Sequence, residues 1–590
     1  MKVNSLLKEV VLEKGIHEIN FETIYPIGKI EGDYNDVTYF IGDEENKTTK
    51  YANKVKINVS KKTAIKIYLG AGYYVLYDEK MTNKFLYSSG WSGGDGIFSF
   101  NVTNGKDNIG LDEDINTLFV FGDTFVGKSD EKTNNRIEPH AMPNNSLAYM
   151  KNDKIEFFVN QNELNGIQAF YEMDPKFDTD GTIPYQLINE LAKDKFGYIS
   201  GYGGKDIYLI FDFHTSREIE RVNIYNYFNE QMFDSRKRGF KEIKISYSDD
   251  NINFKHLKNY TLKISENTNF FEEVSLDIIA RYIKIEVLSN YNDENYIEGL
   301  YGLSKIEFFN KDRKYLDIDI KTNSVYMEKR LNQWIWLQDG VVIDDKLYFI
   351  PIIITGDQSQ PEGLQFRVCG AALFETKIVS EKLDFSTVKQ KRAPLMLRKG
   401  TKEYLLGAGI FANTLQANTL NPDGYIYTYG FISEMGFRQL IVSRVLKDKF
   451  SLFDDWEYYS AGKWSKNLTD ATPLLDHVSP ELSVMELRDG PNKGKFMAVF
   501  TYDTNTTKVS FSIGESITGP FSKPQPIYLA KETEEFKSTT YTYNAKAHPH
   551  LSKANKLLAS YNVNTYSFEH NMSDYKIYRP RFINIIHTID

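Results

Sequence analysis

The sequence predicts an all-β protein: a five-bladed β-propeller, interrupted by a strand-rich module and preceded by a small β-rich region. Three observations carry this expectation. The 590 residues include 40 Tyr and 39 Phe, with Ile abundant and only 12 Met, a composition that suits pleated, half-buried surfaces. Turn signals recur roughly every ten residues, and hardly any stretch sustains an apolar period of about 3.6. A unit of short apolar strands recurs along the chain, and four antiparallel strands make one propeller blade. At about 150 residues per domain the length suggests three to four units. The pattern divides the chain into 1–85, a β-rich cap or sandwich; 86–175, the first blade; 180–310, the interrupting module; and 315–590, the remaining blades.

Residues 1–80 alternate apolar and polar in short runs such as Ile16-His17-Glu18-Ile19-Asn20-Phe21 and Lys54-Val55-Lys56-Ile57-Asn58-Val59, without a constellation of reactive side chains. The first blade is read from strands at 96–100, 117–122, 145–150 and 155–159. Its first two strands carry an aspartate each: Gly94-Asp95-Gly96 enters one, and Gly122-Asp123-Thr124 leaves the other. Antiparallel pairing across the loop 101–116 puts both carboxylates at one edge of the sheet. Strands about 4.8 Å apart bring them within the several-ångström range used by glycoside-cleaving carboxylate pairs. Ordinary turn chemistry also explains Asp beside Gly, because Asp bonds nearby backbone amides and Gly accepts positive φ.

The blade pattern stops near 180 and resumes near 334–377, 403–447, 456–514 and 525–590. The expected opening strands are Trp334–Gly340, Glu403–Phe411, Glu481–Leu487 and Ala547–Leu551. In a propeller the opening strands converge on the axis, so the polar residues at their ends should meet there: Asp95, Asp123, Asp339, Asn413 or Asp423, Glu481 and His548. Trp91, Trp334, Trp336 and Tyr543 would wall this funnel. Acidic groups between aromatic rings suit a neutral polyol, whose faces stack and whose hydroxyls need acceptors; they do not suit an anion.

Composition narrows the partners further. A net charge of −9 with interspersed signs leaves no basic field for nucleic acid and no polybasic membrane patch. No apolar run is long enough to span a bilayer, and the single Cys369 excludes an intramolecular disulfide. The first residues, Met1-Lys2-Val3-Asn4-Ser5-Leu6-Leu7, lack an apolar leader core, which leaves a cytoplasmic chain or a mature secreted one. The nine His are scattered, no metal motif or phosphate-cradling Gly loop appears, and no cofactor is expected.

Two family resemblances enter here. The strands at 206–213, 219–225, 243–254, 280–287 and 303–309 resemble the discoidin, or coagulation factor 5/8 type C, family. That likeness implies an eight-stranded jelly-roll sandwich, usually carbohydrate-binding in bacteria and often with a structural calcium near its start. The corresponding Asn189–Lys195 lacks the dense acidic loop such a calcium needs. The module contains no Trp, so a sugar would stack on Tyr or Phe. The second resemblance rests on Trp91-Ser92-Gly93-Gly94-Asp95-Gly96, Phe121-Gly122-Asp123-Thr124, Asn144-Asn145-Ser146, Ala547-His548-Pro549, Ser560-Tyr561-Asn562 and Tyr578-Arg579-Pro580-Arg581-Phe582. These look like the DUF4185 and DUF5005 class of five-bladed propellers, similar in outline to furanosidases, some of which cleave D-arabinan. By that likeness Asp95 and Asp123 match the catalytic pair. The candidate substrate contacts are Trp91, Asn145, Trp334, Trp336, Asp339, Glu481, His548 and Arg579. The expectation is a glycoside hydrolase on a neutral, furanosidic oligo- or polysaccharide of arabinan or fructan type. The competing expectation is a non-catalytic carbohydrate-binding or adhesion protein. His548 could equally fix a strand entry, Arg579 and Arg581 could pair with carboxylates between blades, and Glu481 could start a strand on the rim.

Overall fold

A computed structural model describes residues 5–20, 27–32, 36–41, 54–69, 73–108, 114–157, 159–164, 167–170, 187–188, 197–200, 204, 206–230, 232–292, 299–324, 333–360, 365–490, 492–536 and 539–587. The described chain is built almost wholly from antiparallel strands. Asn189–Lys195 lies outside the described residues.

Two three-stranded sheets form the N-terminal unit, one from Ser5–Leu12, Thr63–Leu69 and Ile27–Glu31, the other from Gly15–Asn20, Lys54–Val59 and Val37–Ile41. Their alternation places Leu12, Ile30, Val37, Val55, Ile57, Val59, Ile65 and Ile67 in one core. The unit does not extend to residue 85. Tyr73–Tyr77 leaves it and pairs with the last strand, Arg579–His587.

Five antiparallel meanders follow. The first is Phe98–Asn101, Thr117–Phe121, Ser146–Lys151 and Lys154–Phe157. A separate three-stranded sheet, Ser89–Gly94, Thr124–Ser129 and Arg136–Ala141, stands beside it. The second opens with Gln333–Trp336 and Gly340–Ile343, which pair in turn with Ile352–Gly356 and Lys346–Phe349; the third opens with Lys402–Asn413; the fourth with Leu482–Glu486; the fifth with Thr540–Ala547, and Tyr73–Tyr77 completes the fifth at its outer edge. One expected opening is corrected: Ala547–Leu551 is a strand end followed by a 3-10 turn at Pro549–Leu551.

The opening strands pack in chain order, first against second, second against third, third against fourth and fourth against fifth. Close approach requires small residues: a Cβ on Gly409 would lie 2.8 Å from the Leu482 carbonyl oxygen. The fifth returns to the first through Ser99 and His548, 2.7 Å apart, and through Lys546, whose ammonium lies 3.6 Å from the Phe98 ring centre.

The module between the first and second meanders is one sheet in which two 19-residue strands, Tyr208–Asn226 and Glu272–Asn290, pair along their length. Leu209, Phe211, Ile224, Ile245, Ile285 and Phe308 belong to its own core. It is docked onto the meanders by charge. Buried Asp317 accepts from Lys391 Nζ at 2.9 Å, His214 Nε2 at 3.1 Å and the Phe453 N–H at 3.0 Å. Asp454 accepts from Arg313 at 3.3 Å and from the Leu316 N–H at 3.3 Å.

Candidate active site

The centre of the site is made by backbone before any side chain is considered. The Asp95 N–H donates to the Asp123 carbonyl at 3.3 Å, and the Gly122 N–H donates to the Asp95 carbonyl at 2.8 Å. The two aspartates are thereby stitched together at one edge of the first meander. Glycine at 122 is a steric requirement, because a Cβ there would lie 2.5 Å from Asp95 Oδ1. Gly96 follows at φ +59°, a left-handed turn that swings the chain into the opening strand.

Each carboxylate is then held by a different neighbour. Tyr543 of the fifth meander donates its hydroxyl to Asp95 Oδ2 at 2.7 Å. Tyr578 faces the same carboxyl and donates to the Asp123 carbonyl at 3.2 Å. Trp336, of the second meander, donates Nε1–H to Asp123 Oδ1 at 2.7 Å; an indole can only donate, so that oxygen is an acceptor. Both aspartates keep partial solvent exposure.

Beneath them lies a buried charge cluster. Glu481, at the entrance of the fourth opening strand, pairs with Lys546 of the fifth, and both are buried. A Cβ on Gly96 would sit 3.4 Å from Glu481 Oε1, which places that carboxylate directly under the Asp95 turn. Asp339 accepts from its neighbour Gly340 N–H at 2.9 Å and from the Ile410 N–H of the third meander at 2.6 Å. With Phe98, Ser99, His548 and Lys546 it lines a cavity of about 30 Å³, room for one water.

Burial pushes the Asp95 carboxyl above its ordinary value, against the pull of Tyr543, Tyr578 and Lys546. It also pushes Glu481 up, against Lys546. Lys546 is pushed down by the same desolvation, against Glu481, Asp339 and Asp95. Asp339 is pushed up to about 8, chiefly by burial. Carboxyls that keep their protons to higher pH, beside others held as acceptors, are the raw material of acid–base catalysis.

The structure therefore brings together Asp95, Asp123, Trp336, Asp339, Glu481 and Tyr543. It does not bring in the others. Trp91 is 1% exposed and stacks on Phe157 with centroids 4.6 Å apart, a core residue rather than a funnel wall. His548 borders the small cavity with Asp339 and Lys546 but not the aspartate pair; it is 1% exposed and clasps Ser99 at 2.7 Å and Ser560 at 2.8 Å, tying the fifth meander to the first. Arg579 is buried and donates to the Lys576 and Thr82 carbonyls, both at 3.2 Å. Asn145 is fully buried, its amide 3.4 Å from the Ile335 carbonyl, so it positions the strand that carries Trp336. Trp334, like Trp336, packs on the core shared by the second, third and fourth meanders, but only Trp336 bonds the aspartate pair. Asn413 donates to the Asn421 carbonyl at 3.1 Å, and exposed Asp423 accepts from Tyr427 at 2.6 Å; the third meander reaches the site through the Ile410 N–H instead.

Two participants were missed by sequence reasoning, Lys546 and the Tyr578 side chain. The available signal was a lone lysine within Asn544-Ala545-Lys546-Ala547, small residues on an opening strand.

A cleft of about 850 Å³ lies elsewhere, near Thr117 at the opposite end of the strand that leads to Asp123. Its acids are engaged: Asp78 bonds Asn584 and the Met81 N–H, and Asp153 bonds Lys80. Among the described residues no group of three or more His, Cys, Asp or Glu could hold a metal ion, and no helix is long and apolar enough to cross a membrane.

No curated protein matches the chain. Among solved structures, a Bacteroides ovatus protein provisionally described as a hydrolase is 15% identical with a TM-score of 0.44, over 87% of this chain and 90% of that one. The module CBM32-3 from a family 31 glycoside hydrolase of Clostridium perfringens is 18% identical with a TM-score of 0.15, over 19% of this chain and 74% of that one. An F5/8 type C domain from Bacteroides fragilis is 7% identical with a TM-score of 0.18, over 23% and 85%. Residues 179–299 match the F5/8 type C domain family, and residues 303–587 match the domain of unknown function DUF5005. The F5/8 type C match is thus followed along the chain by the DUF5005 match, and Asp95 and Asp123 precede both.

Proposed function

We propose that the five meanders are the blades of a five-bladed propeller of the DUF4185 and DUF5005 type, and that the protein hydrolyses glycosidic bonds of a neutral oligo- or polysaccharide. The observation that carries this is the cross-bonded pair Asp95 and Asp123, each with a distinct environment. Asp95, surrounded by tyrosine hydroxyls and raised by burial, holds the proton and gives it to the departing glycosidic oxygen as the C–O bond breaks. Asp123, whose Oδ1 accepts from Trp336, supplies the electron pair at the other face, to a water or directly to the anomeric carbon. In the first case the water's proton ends on Asp123 and its hydroxyl on the sugar. Lys546 and Glu481 fix the electrostatics beneath Asp95.

The acceptor-rich site and its aromatic neighbours favour furanosidic substrates of arabinan or fructan type, as the family likeness implies. The F5/8 type C domain at 179–299 would hold the enzyme on polymer. The test is reducing-sugar release from arabinan, fructan and nitrophenyl furanosides by the parent and by Asp95→Asn and Asp123→Asn. Release by the parent, reduced about 10²-fold or more in each variant, supports the reading. Binding of these sugars with no release from any of them would make the protein a lectin.

A further inference from the structure

We propose that the cleft beside Thr117 binds a small organic anion with at least two negative charges, a phosphate ester or a polycarboxylate. The site is separate from the aspartate pair and owes nothing to its chemistry. Asp123 lies beyond the other end of Thr117–Phe121, about 13 Å of strand away.

The walls set the charge. Lys80 and Lys84 come from the short helix Glu79–Asn83 and its C-terminal cap, and Asp153 from the hairpin turn between Ser146–Lys151 and Lys154–Phe157. Lys553 and Lys556 come from the turn that leads into Lys556–Thr565. With Asp78, four lysines and two aspartates line one cleft, an excess of two positive charges in a chain whose net charge is −9. Both aspartates are engaged. Asp78 Oδ1 accepts the Met81 N–H at 3.0 Å and its Oδ2 the Asn584 amide at 2.7 Å. Asp153 is shared between Lys80 at 2.6 Å and Lys84 at 3.4 Å. Lys553 and Lys556 are exposed, and among the described residues neither has a carboxylate partner. Like charges gathered along one concave wall repel, and a single exposed carboxylate shared by two ammoniums relieves little of this, so an anion entering among them is favoured.

The size and the floor narrow the ligand. A volume of about 850 Å³ is that of a small-molecule site and far exceeds an inorganic phosphate. Met81, Met150 and Leu558 give the cleft apolar ground, while buried Thr117 and His550 put a hydroxyl and an imidazole at its base. The His550 contacts are long, 3.4 Å to Thr117 Oγ1 and 3.3 Å to Asp107, so a closer partner would displace either. An organic body with anionic groups at its edge meets the floor and the lysines together. A neutral sugar leaves the lysines unanswered, and a long nucleic acid is repelled by the chain's overall negative charge.

Isothermal titration calorimetry of the full chain at low ionic strength tests this, with phenyl phosphate and citrate as probes and benzyl alcohol as the neutral control. At least one anion should bind and weaken as salt rises, and the tighter of the two tells phosphate ester from polycarboxylate. Lys553→Gln/Lys556→Gln, at exposed positions, should weaken binding about tenfold. Asp153→Asn frees Lys80 and Lys84 and should tighten binding several fold, a gain that a folding defect cannot imitate. Residue 153 sits at φ +64°, which Asn tolerates, and its side chain is 64% exposed. Binding of neither anion, benzyl alcohol binding as tightly as phenyl phosphate, or an affinity that neither variant changes in the stated direction would overturn the proposal.

Discussion

Replacing Lys546 by methionine removes one charge from beneath the site at nearly constant side-chain length. In the parent the ammonium is enclosed between the Glu481 carboxylate and the Phe98 ring, 3.6 Å from its centre. Methionine keeps the contact with the ring through its polarizable sulfur and leaves Glu481 buried without its partner. Removing one member of a buried pair typically costs about 3–5 kcal/mol, because the remaining charge is uncompensated. The pH dependence carries a definite sign. Burial already pushes Glu481 above its ordinary value while Lys546 pulls it down, so loss of the lysine moves it higher still. A carboxyl whose folded pKa exceeds its unfolded pKa contributes stability that is full below the unfolded value and lost as pH rises through the folded one. The deficit of Lys546→Met should therefore be largest in alkaline buffer and shrink toward about pH 4, where Glu481 is protonated in both states. Urea unfolding across that range reads it directly. The double variant Lys546→Met/Glu481→Gln, which buries no charge at this place, should be more stable than Lys546→Met alone. A deficit independent of pH, or a double variant as unstable as the sum of the singles, would refute the reasoning. The same substitution removes a cation that lowers Asp95, so the alkaline limb of kcat/KM should move to higher pH.

Two other substitutions probe the frame around the site. Asp317→Asn leaves Lys391 without its carboxylate at the junction with the F5/8 type C domain and should weaken docking by about 3 kcal/mol, seen as earlier proteolysis of the domain. His214 in that junction is lowered by burial but raised further by Asp317, for a net rise, so its contribution is full below about pH 6.5 and fades as pH rises through its folded value. Asp339 is raised to about 8 by burial, so its contribution is full below about pH 4 and lost as pH rises through about 8. Asp339→Asn should flatten the melting temperature's dependence on pH across that window, and should cost about 1–3 kcal/mol in mild acid, because an amide nitrogen replaces one of the two carboxyl oxygens that face the Gly340 and Ile410 N–H groups.

The parts of this account that the sequence made legible are those set by local periodicity. The first meander was readable because its strands are short apolar runs punctuated by turns, and the placement of Asp95 and Asp123 at one edge followed from pairing alone. The long loop between them did not disturb this. Asn101 folds it back by accepting from the Thr103 and Asn104 N–H groups at 3.1 and 3.3 Å. What sequence could not supply was the direction of a side chain relative to a distant neighbour. Trp91 and Trp336 look alike as aromatics near glycines, yet one stacks in the core and the other reaches Asp123. His548 and Arg579 look like site residues because buried cations and imidazoles are rare, and here both tie backbone and hydroxyl groups between elements. Lys546 was invisible for the opposite reason: a lone lysine reads as solvent-exposed until Glu481, far away in the chain, is placed against it. Tyr73–Tyr77 offered no hint that it pairs with the last strand, because a short apolar strand carries no record of its partner.

The central claim, that Asp95 gives the proton and Asp123 supplies the electron pair, is tested most directly by comparing the Asp→Asn variants on aryl furanosides of different leaving groups, with and without azide. Asp95→Asn should lose about 10²–10⁴-fold on nitrophenyl substrates yet retain much of its rate with dinitrophenolate, a leaving group that needs no protonation. Asp123→Asn should be impaired with both and recover with azide, forming a glycosyl azide. Both variants melting like the parent and keeping more than about a tenth of its rate would contradict the claim and move the chemistry to Asp339 and Glu481.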